Sequence, residues 1–129
     1  MVQESVDELV TRLDFQPDII VGIARGGLIP ARLLAGRLKV TTMYCLTLEK
    51  QSDGTKKVTT LIQTDLHGKQ VLLVEEMLET GQTLLTAKRY LESLGATVAT
   101  AALCILETTP MKPDYYLDIL SDVPSFPWE

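Results

Sequence analysis

The stretch Val71 to Leu85, VLLVEEMLETGQTLL, gathers the residues best able to do chemistry. An apolar run that suits a buried strand ends in two adjacent carboxylates, Glu75 and Glu76, and a few residues later Thr80, Gly81, Gln82 and Thr83 open a helix. Gly81 lets the backbone turn tightly, the first free amides of the helix point outward, the threonine hydroxyls add donors, and the helix dipole favours negative charge. A phosphate monoester fits such a cradle. Carboxylates beside a phosphate are repulsive, so the pairing asks for a ligand that also offers hydroxyl donors, or for a cation nearby. A ribose phosphate meets this demand: its vicinal hydroxyls donate to Glu75 and Glu76, with Mg2+ bridging, while the 5′-phosphate sits on the helix amides. The competing reading is a solvated acidic turn that only caps a helix.

A second candidate lies at Gly22 to Gly27, GIARGG, after the β-branched run Ile19 to Ile23. Glycines after a strand permit close backbone approach to a phosphate, and Arg25 supplies a permanent charge with a planar fork suited to a polyphosphate. The spacing lacks GxxxxGK, and neither turn has GxGxxG, so nucleoside triphosphate and dinucleotide readings lose their main support. Tight strand-to-helix packing with Arg25 exposed remains an equal alternative for this turn taken alone.

Both turns need strands and helices to hold them. Val2, Val6, Leu9, Val10 and Leu13 recur at spacings of three and four, which predicts an amphipathic helix ended by Pro17 and Asp18. Ile19 to Ile23 predicts a buried strand, and Leu33, Leu34 and Leu38, with Pro30 in the first turn, predict the helix that follows it. Further strands are predicted over Thr42 to Leu48, Val58 to Ile62, Val71 to Val74, Thr97 to Leu106 and Tyr116 to Leu120. Leu84, Ala87, Leu91 and Leu94 share a helical face, and Gly95 is placed to cap that helix. The polar stretch Glu49 to Lys57 reads as a mobile loop, with Lys56 and Lys57 as a solvated charge pair. His67 reads as a solvated turn residue, and of the neighbours Tyr115 and Tyr116 one faces the core. Strands this apolar, alternating with helices, predict an α/β fold: a largely parallel twisted sheet with flanking helices. In such sheets ligands bind beyond the carboxyl ends of the strands where strand order reverses.

With 129 residues and neither repeat nor linker, the chain reads as a single domain, 1–129. Seventeen acids against twelve bases give a net charge of −5, which argues against a nucleic-acid partner or an anionic membrane surface held by bulk charge. No apolar run approaches the roughly 18 residues that a membrane span needs, and MVQESVDELV lacks the pattern of a signal peptide. Cys45 and Cys104, far apart in apolar surroundings, read as reduced buried thiols, which places the protein in the cytoplasm.

Two phosphate-suited turns at strand ends, one with acids and one with arginine, resemble the type I phosphoribosyltransferases. That family carries four apolar residues, two acids, two variable residues, an acid, then Thr-Gly, any residue, and Ser or Thr; VLLVEEMLETGQT fits at every position class. Its pyrophosphate loop is matched by IIVGIARGGLIPA, and the small xanthine-guanine and purine enzymes end in a way similar to PDYYLDILSDVPSFPWE. The likeness covers nearly the whole chain from Pro17 onward. It implies the type I phosphoribosyltransferase (Rossmann-like) fold and transfer of a ribosyl 5-phosphate from 5-phosphoribosyl 1-pyrophosphate to a nitrogenous base such as a purine. By that likeness Glu75 and Glu76 hold the ribose hydroxyls and Mg2+, Glu79 acts as the catalytic carboxylate near the ring nitrogen, and Thr80, Gly81, Gln82 and Thr83 surround the 5′-phosphate. Ala24, Arg25, Gly26 and Gly27 take the pyrophosphate. The loop 49–57 closes over the site, residues 108–129 form a carboxyl-terminal hood, and the chain self-associates as a homo-oligomer. The family usually has aspartates where this chain has Glu75, Glu76 and Glu79. Purine enzymes of this kind place a base-reading lysine about where Leu106 and Glu107 fall, and a stacking aromatic where Val123, Pro124 and Ser125 stand, with Phe126 or Trp128 as substitutes. A nucleotide-binding regulatory protein of the same fold, without efficient catalysis, is therefore the alternative function.

Overall fold

The computed structural model describes residues 2–122. In chain order the elements are α1 (Val2–Arg12), β1 (Ile19–Ile23), α2 (Leu28–Leu38), β2 (Met43–Leu46), β3 (Leu48–Lys50), β4 (Lys56–Val58), β5 (Gln70–Leu78), α3 (Gln82–Ser93), β6 (Thr97–Leu106) and β7 (Tyr115–Leu120). Five strands form one sheet in the order β2-β1-β5-β6-β7, and each neighbouring pair is parallel. The chain steps from β1 outward to β2, then returns to the other side of β1 and builds β5, β6 and β7 away from it. Strand order thus reverses between β1 and β5.

Alternation along the strands splits the core into two layers. Ile19, Val21 and Ile23 of β1 join Val71 and Leu73 of β5 in the layer under Leu84, Ala87 and Leu91 of α3. Ile20, Leu72 and Val74 face the other way, onto Val6 and Leu9 of α1 and Ala31, Leu34 and Ala35 of α2. With both faces covered, the central strands are apolar throughout, which is why they read as unbroken runs. Tyr115 and Tyr116 each pack on one of the two layers, so both ring systems support the core rather than one. Gly95, at φ +95°, ends α3 with paired bonds: its N–H donates to the Glu92 carbonyl at 3.0 Å and Ala96 N–H to that of Leu91 at 3.3 Å.

Several boundaries differ from expectation. The first helix stops at Arg12, short of Pro17, with Leu13 N–H closing a last turn onto the Val10 carbonyl at 3.2 Å. The fifth strand runs past Val74 to Leu78, because β6 continues to pair with it as far as Ile105. The stretch 49–57, expected as a loop, is largely an antiparallel hairpin in which β3 and β4 pair Leu48 with Val58, Glu49 with Lys57 and Lys50 with Lys56. Leu48 and Val58 pack on the core, opposite charges meet across Glu49 and Lys57, and Ser52, Asp53 and Gly54 make the turn, with Gly54 at φ +88°. The expected return strand from Val58 to Ile62 ends at Val58 itself. Of the proposed hood, residues 123–129, including Val123, Pro124, Ser125, Phe126 and Trp128, lie outside the described residues. Among those described, no helix is long and apolar enough to cross a membrane.

Candidate functional site

Strand β1 stops at Ile23 and pairs with β5 only as far as Val74, whereas β5 runs on to Leu78. That difference in length leaves a notch beyond β1, and Glu75 and Glu76 sit on the uncovered part of β5. Adjacent on a strand, they leave it on opposite faces. Glu75 lines a cleft of about 240 Å³ with Lys56, Met77, Leu78, Glu79, Thr80, Gly81 and Thr83. Glu76 turns toward the first turn, its carboxyl so close to Gly26 that a Cβ there would overlap it.

The first turn, 24–27, joins β1 to α2. Ala24 N–H donates to the Leu46 carbonyl at 2.8 Å, Gly27 N–H to the Ile23 carbonyl at 2.8 Å, and the Ala24–Arg25 peptide is cis. Gly27 is buried against backbone: a Cβ would overlap the Val74 carbonyl and lie 2.8 Å from that of Ile23. Arg25 is exposed beside it. The second turn joins β5 to α3 through Glu79, Thr80 and Gly81. Gly81, at φ +83°, is the helix N-cap and offers no side-chain cap; Thr80 Oγ1 accepts from Gln82 N–H at 3.3 Å. Met111, from the β6–β7 connection, lies over Gly81 so closely that a Cβ would stand 2.8 Å from its own. Both helices therefore begin at a glycine with no side-chain cap, next to each other across the reversal point.

A family model described as phosphoribosyl transferase domain matches residues 2–129. The chain belongs to this family. It is 35% identical over 126 residues to a xanthine-guanine phosphoribosyltransferase of Chromohalobacter salexigens, covering 95% of this chain and 73% of that one. It is 32% identical over 106 residues to an orotate phosphoribosyltransferase of Sulfurisphaera tokodaii, covering 82% of this chain and 50% of the relative. The chain thus spans about half the length of the orotate relatives it matches. The crystal structure of a purine phosphoribosyltransferase from Pyrococcus horikoshii superposes with a TM-score of 0.91 at 32% identity, over 99% of this chain and 88% of that one. The type I phosphoribosyltransferase fold is therefore established for this domain.

Within this phosphoribosyltransferase domain the cleft brings together Glu75, Glu79, Thr80, Gly81 and Thr83. Gln82 is exposed outside the cleft lining, while Ala24, Arg25, Gly26 and Gly27 form the neighbouring turn, which Glu76 touches. Burial pushes the Glu75 carboxyl up to about 7, Glu76 and Glu79 push the same way by repulsion, and the Lys56 ammonium opposes them. Glu75 is thus close to half-protonated at neutral pH. Sequence reasoning placed Lys56 in solvent; the structure sets it in the cleft wall, half-buried, while Lys57 is exposed. The three-residue turn Ser52-Asp53-Gly54 sets that face by pairing Lys50 with Lys56, where a two-residue Asp-Gly turn would pair Lys50 with Lys57. Met111, covering Gly81, had no signal short of the tertiary fold.

Proposed function

We propose that this domain transfers ribosyl 5-phosphate from 5-phosphoribosyl 1-pyrophosphate to a nitrogenous base, releasing pyrophosphate. One observation carries the reading: two uncapped glycine turns leave adjacent parallel strands at the reversal point, one edged by acids and hydroxyls, the other by Arg25. A ligand with a phosphate at one end and a pyrophosphate at the other fits that pair. The names of the xanthine-guanine and purine relatives support a purine as the acceptor.

In this reading the α3 amides and the Thr80 and Thr83 hydroxyls hold the 5′-phosphate, and Glu75 and Glu76 accept from the ribose hydroxyls. Arg25, with the backbone of Ala24, Gly26 and Gly27, takes the pyrophosphate. The bond from the anomeric carbon to the pyrophosphate oxygen breaks with its electron pair leaving on that oxygen, and the ring nitrogen of the base supplies the pair for the new bond. Positive charge builds on the sugar meanwhile, as at other oxocarbenium-like centres. In the same reading Glu79, which lines the cleft one residue past β5, accepts the proton of the incoming base or stabilises the sugar's charge. The hairpin shields the activated sugar from water through the cleft wall it contributes.

Among the described residues no three His, Cys, Asp or Glu side chains group to hold a metal, and Glu75 and Glu76 diverge. That donor set fits a Mg2+ that keeps most of its coordination on substrate oxygens and water, with one or two protein carboxylates. When bound, Mg2+ neutralises the leaving pyrophosphate. Homo-oligomer formation and a cytoplasmic setting belong to the same proposal.

The test is pyrophosphate release from 5-phosphoribosyl 1-pyrophosphate with Mg2+ over a panel of xanthine, guanine, hypoxanthine, adenine and orotate. Release with one or more bases, lost in Arg25→Ala, supports transfer; no release with any base overturns it. A second reading, binding without efficient turnover, is favoured by the three glutamates and by Glu107 at the end of β6. Each glutamate reaches about 1.5 Å further than an aspartate, and a misplacement of about 1 Å can lower a rate roughly a hundredfold. Saturable binding with no release identifies that case.

A further inference from the structure

We propose that Lys56 is the cation of the ribose-phosphate cleft, a substrate-binding residue that bridges Glu75 and the 5′-phosphate. This rests on the phosphoribosyl reading above. The cleft presents a difficulty that the sequence already shows: Glu75 and Glu79 line the same cavity as the turn meant to hold a phosphate dianion. Among the described residues that line it, Lys56 is the one cation. An ammonium carries three N–H donors and no acceptor, so it can serve a carboxylate and a phosphate oxygen together. It lowers the repulsion from within the protein, whether or not a metal is present.

The hairpin is built to hold Lys56 in that place. Side chains two residues apart on a strand share a face, and Val58 packs on the core, so Lys56 points inward as Lys57 points out. The base of the hairpin is bracketed by threonines: Thr59 N–H donates to the Thr47 carbonyl at 2.8 Å, Thr47 N–H to Thr60 Oγ1 at 3.0 Å, and the Thr47 and Thr59 hydroxyls meet at 2.7 Å. Its tip is closed by Gln51 N–H on the Thr55 carbonyl at 2.7 Å and Thr55 N–H on Asp53 Oδ1 at 3.0 Å. An arm closed at both ends and seated on the core carries its lysine into the cleft in the ligand-free protein. Lys56 therefore offsets part of the acids' charge before the ligand arrives and turns its remaining donors to the phosphate afterwards.

The test uses the full chain in EDTA with two separate probes, ribose 5-phosphate and inorganic pyrophosphate, titrated calorimetrically. Lys56→Met is expected to weaken ribose 5-phosphate binding tenfold or more, on the order of one charge-assisted hydrogen bond, and to leave pyrophosphate binding within twofold. Lys56→Arg restores most of the loss, Lys57→Met changes nothing, and added salt weakens the wild type more than Lys56→Met. Equal affinities for wild type and Lys56→Met overturn the proposal, as does an equal loss for both probes. Should Lys56→Met not fold, Lys56→Gln carries the same comparison. A wild type that binds neither probe nor 5-phosphoribosyl 1-pyrophosphate overturns the phosphoribosyl reading itself, a result distinct from wild-type binding that ignores Lys56.

Discussion

Gly27 lies directly under the Val74 carbonyl, so the turn after β1 touches the backbone of β5 at the last residue the two strands pair. That contact closes the first turn against the strand that carries the acids. Gly27→Ala would drive a Cβ into the Val74 carbonyl and within 2.8 Å of the Ile23 carbonyl, and neither is the end of a flexible side chain. The expected loss is roughly 2–3 kcal/mol, the range of overpacked sites, seen as a fall in Tm on the order of 10 °C. Gly54→Ala, at φ +88° with nothing within 4 Å, carries only the backbone penalty of about 1 kcal/mol. Equal losses in the two variants would contradict the close approach at Gly27.

Glu75 makes the ligand-free protein more stable in mild acid. Folding raises its pKa from 4.5 to about 7. Between those values the folded chain holds a proton that the unfolded chain has released, so stability falls as pH rises from 4.5 to 7 and is flat outside that window for this group. The contribution is on the order of 3 kcal/mol. Thermal unfolding in EDTA at constant ionic strength should show Glu75→Gln to be the more stable chain at pH 7.5, with the advantage gone by pH 4.5. An advantage that does not change with pH would remove burial of a charged Glu75 as its cause.

How far these features can be read from the residues alone follows from the range of the interactions that make them. The runs Ile19–Ile23 and Val71–Val74 announce buried parallel strands because both faces are covered, and Gly95 marks a helix end because its φ favours glycine. The glycines and hydroxyls of the two turns are equally local. The extension of β5 through Glu75 to Leu78 is not, since it depends on pairing with β6 more than twenty residues later. The strands Leu48–Lys50 and Lys56–Val58 are three residues each, rich in charge, and formed because Leu48 and Val58 find the core. Lys56 reads from the sequence only as half of a solvated charge pair, because its direction depends on that register.

Cys104 is predicted to be the slow thiol. Burial pushes it up to about 11, with Asp118 and Glu76 adding repulsion, and its Sγ lies 3.7 Å from the Glu76 carbonyl. At pH 8 its thiolate fraction is roughly two-hundred-fold below that of a free cysteine with a pKa of about 8.5. Alkylation by iodoacetamide followed by peptide mass mapping should mark Cys45 well before Cys104. Comparable rates at both would show that the strand pair around Cys104 opens readily.

Thr100 and Asp114 lock the β6–β7 connection, and through it the cover over the phosphate turn. Asp114 Oδ2 accepts from Thr100 N–H at 2.8 Å and from its hydroxyl at 3.2 Å, and Thr100 Oγ1 accepts in turn from Asp114 N–H at 3.0 Å. Thr100 is 3% exposed, so a lost partner there is not replaced by water. Thr100→Val keeps the shape but leaves Asp114 N–H without its acceptor and the carboxylate one donor short. The expected destabilisation is about 1–3 kcal/mol. Met111 sits in the same connection, over Gly81. If the lock positions that cover, ribose 5-phosphate affinity falls in Thr100→Val at temperatures where the variant is fully folded, while pyrophosphate affinity holds. A stability loss with both affinities unchanged would confine the pair to holding β7 in the sheet.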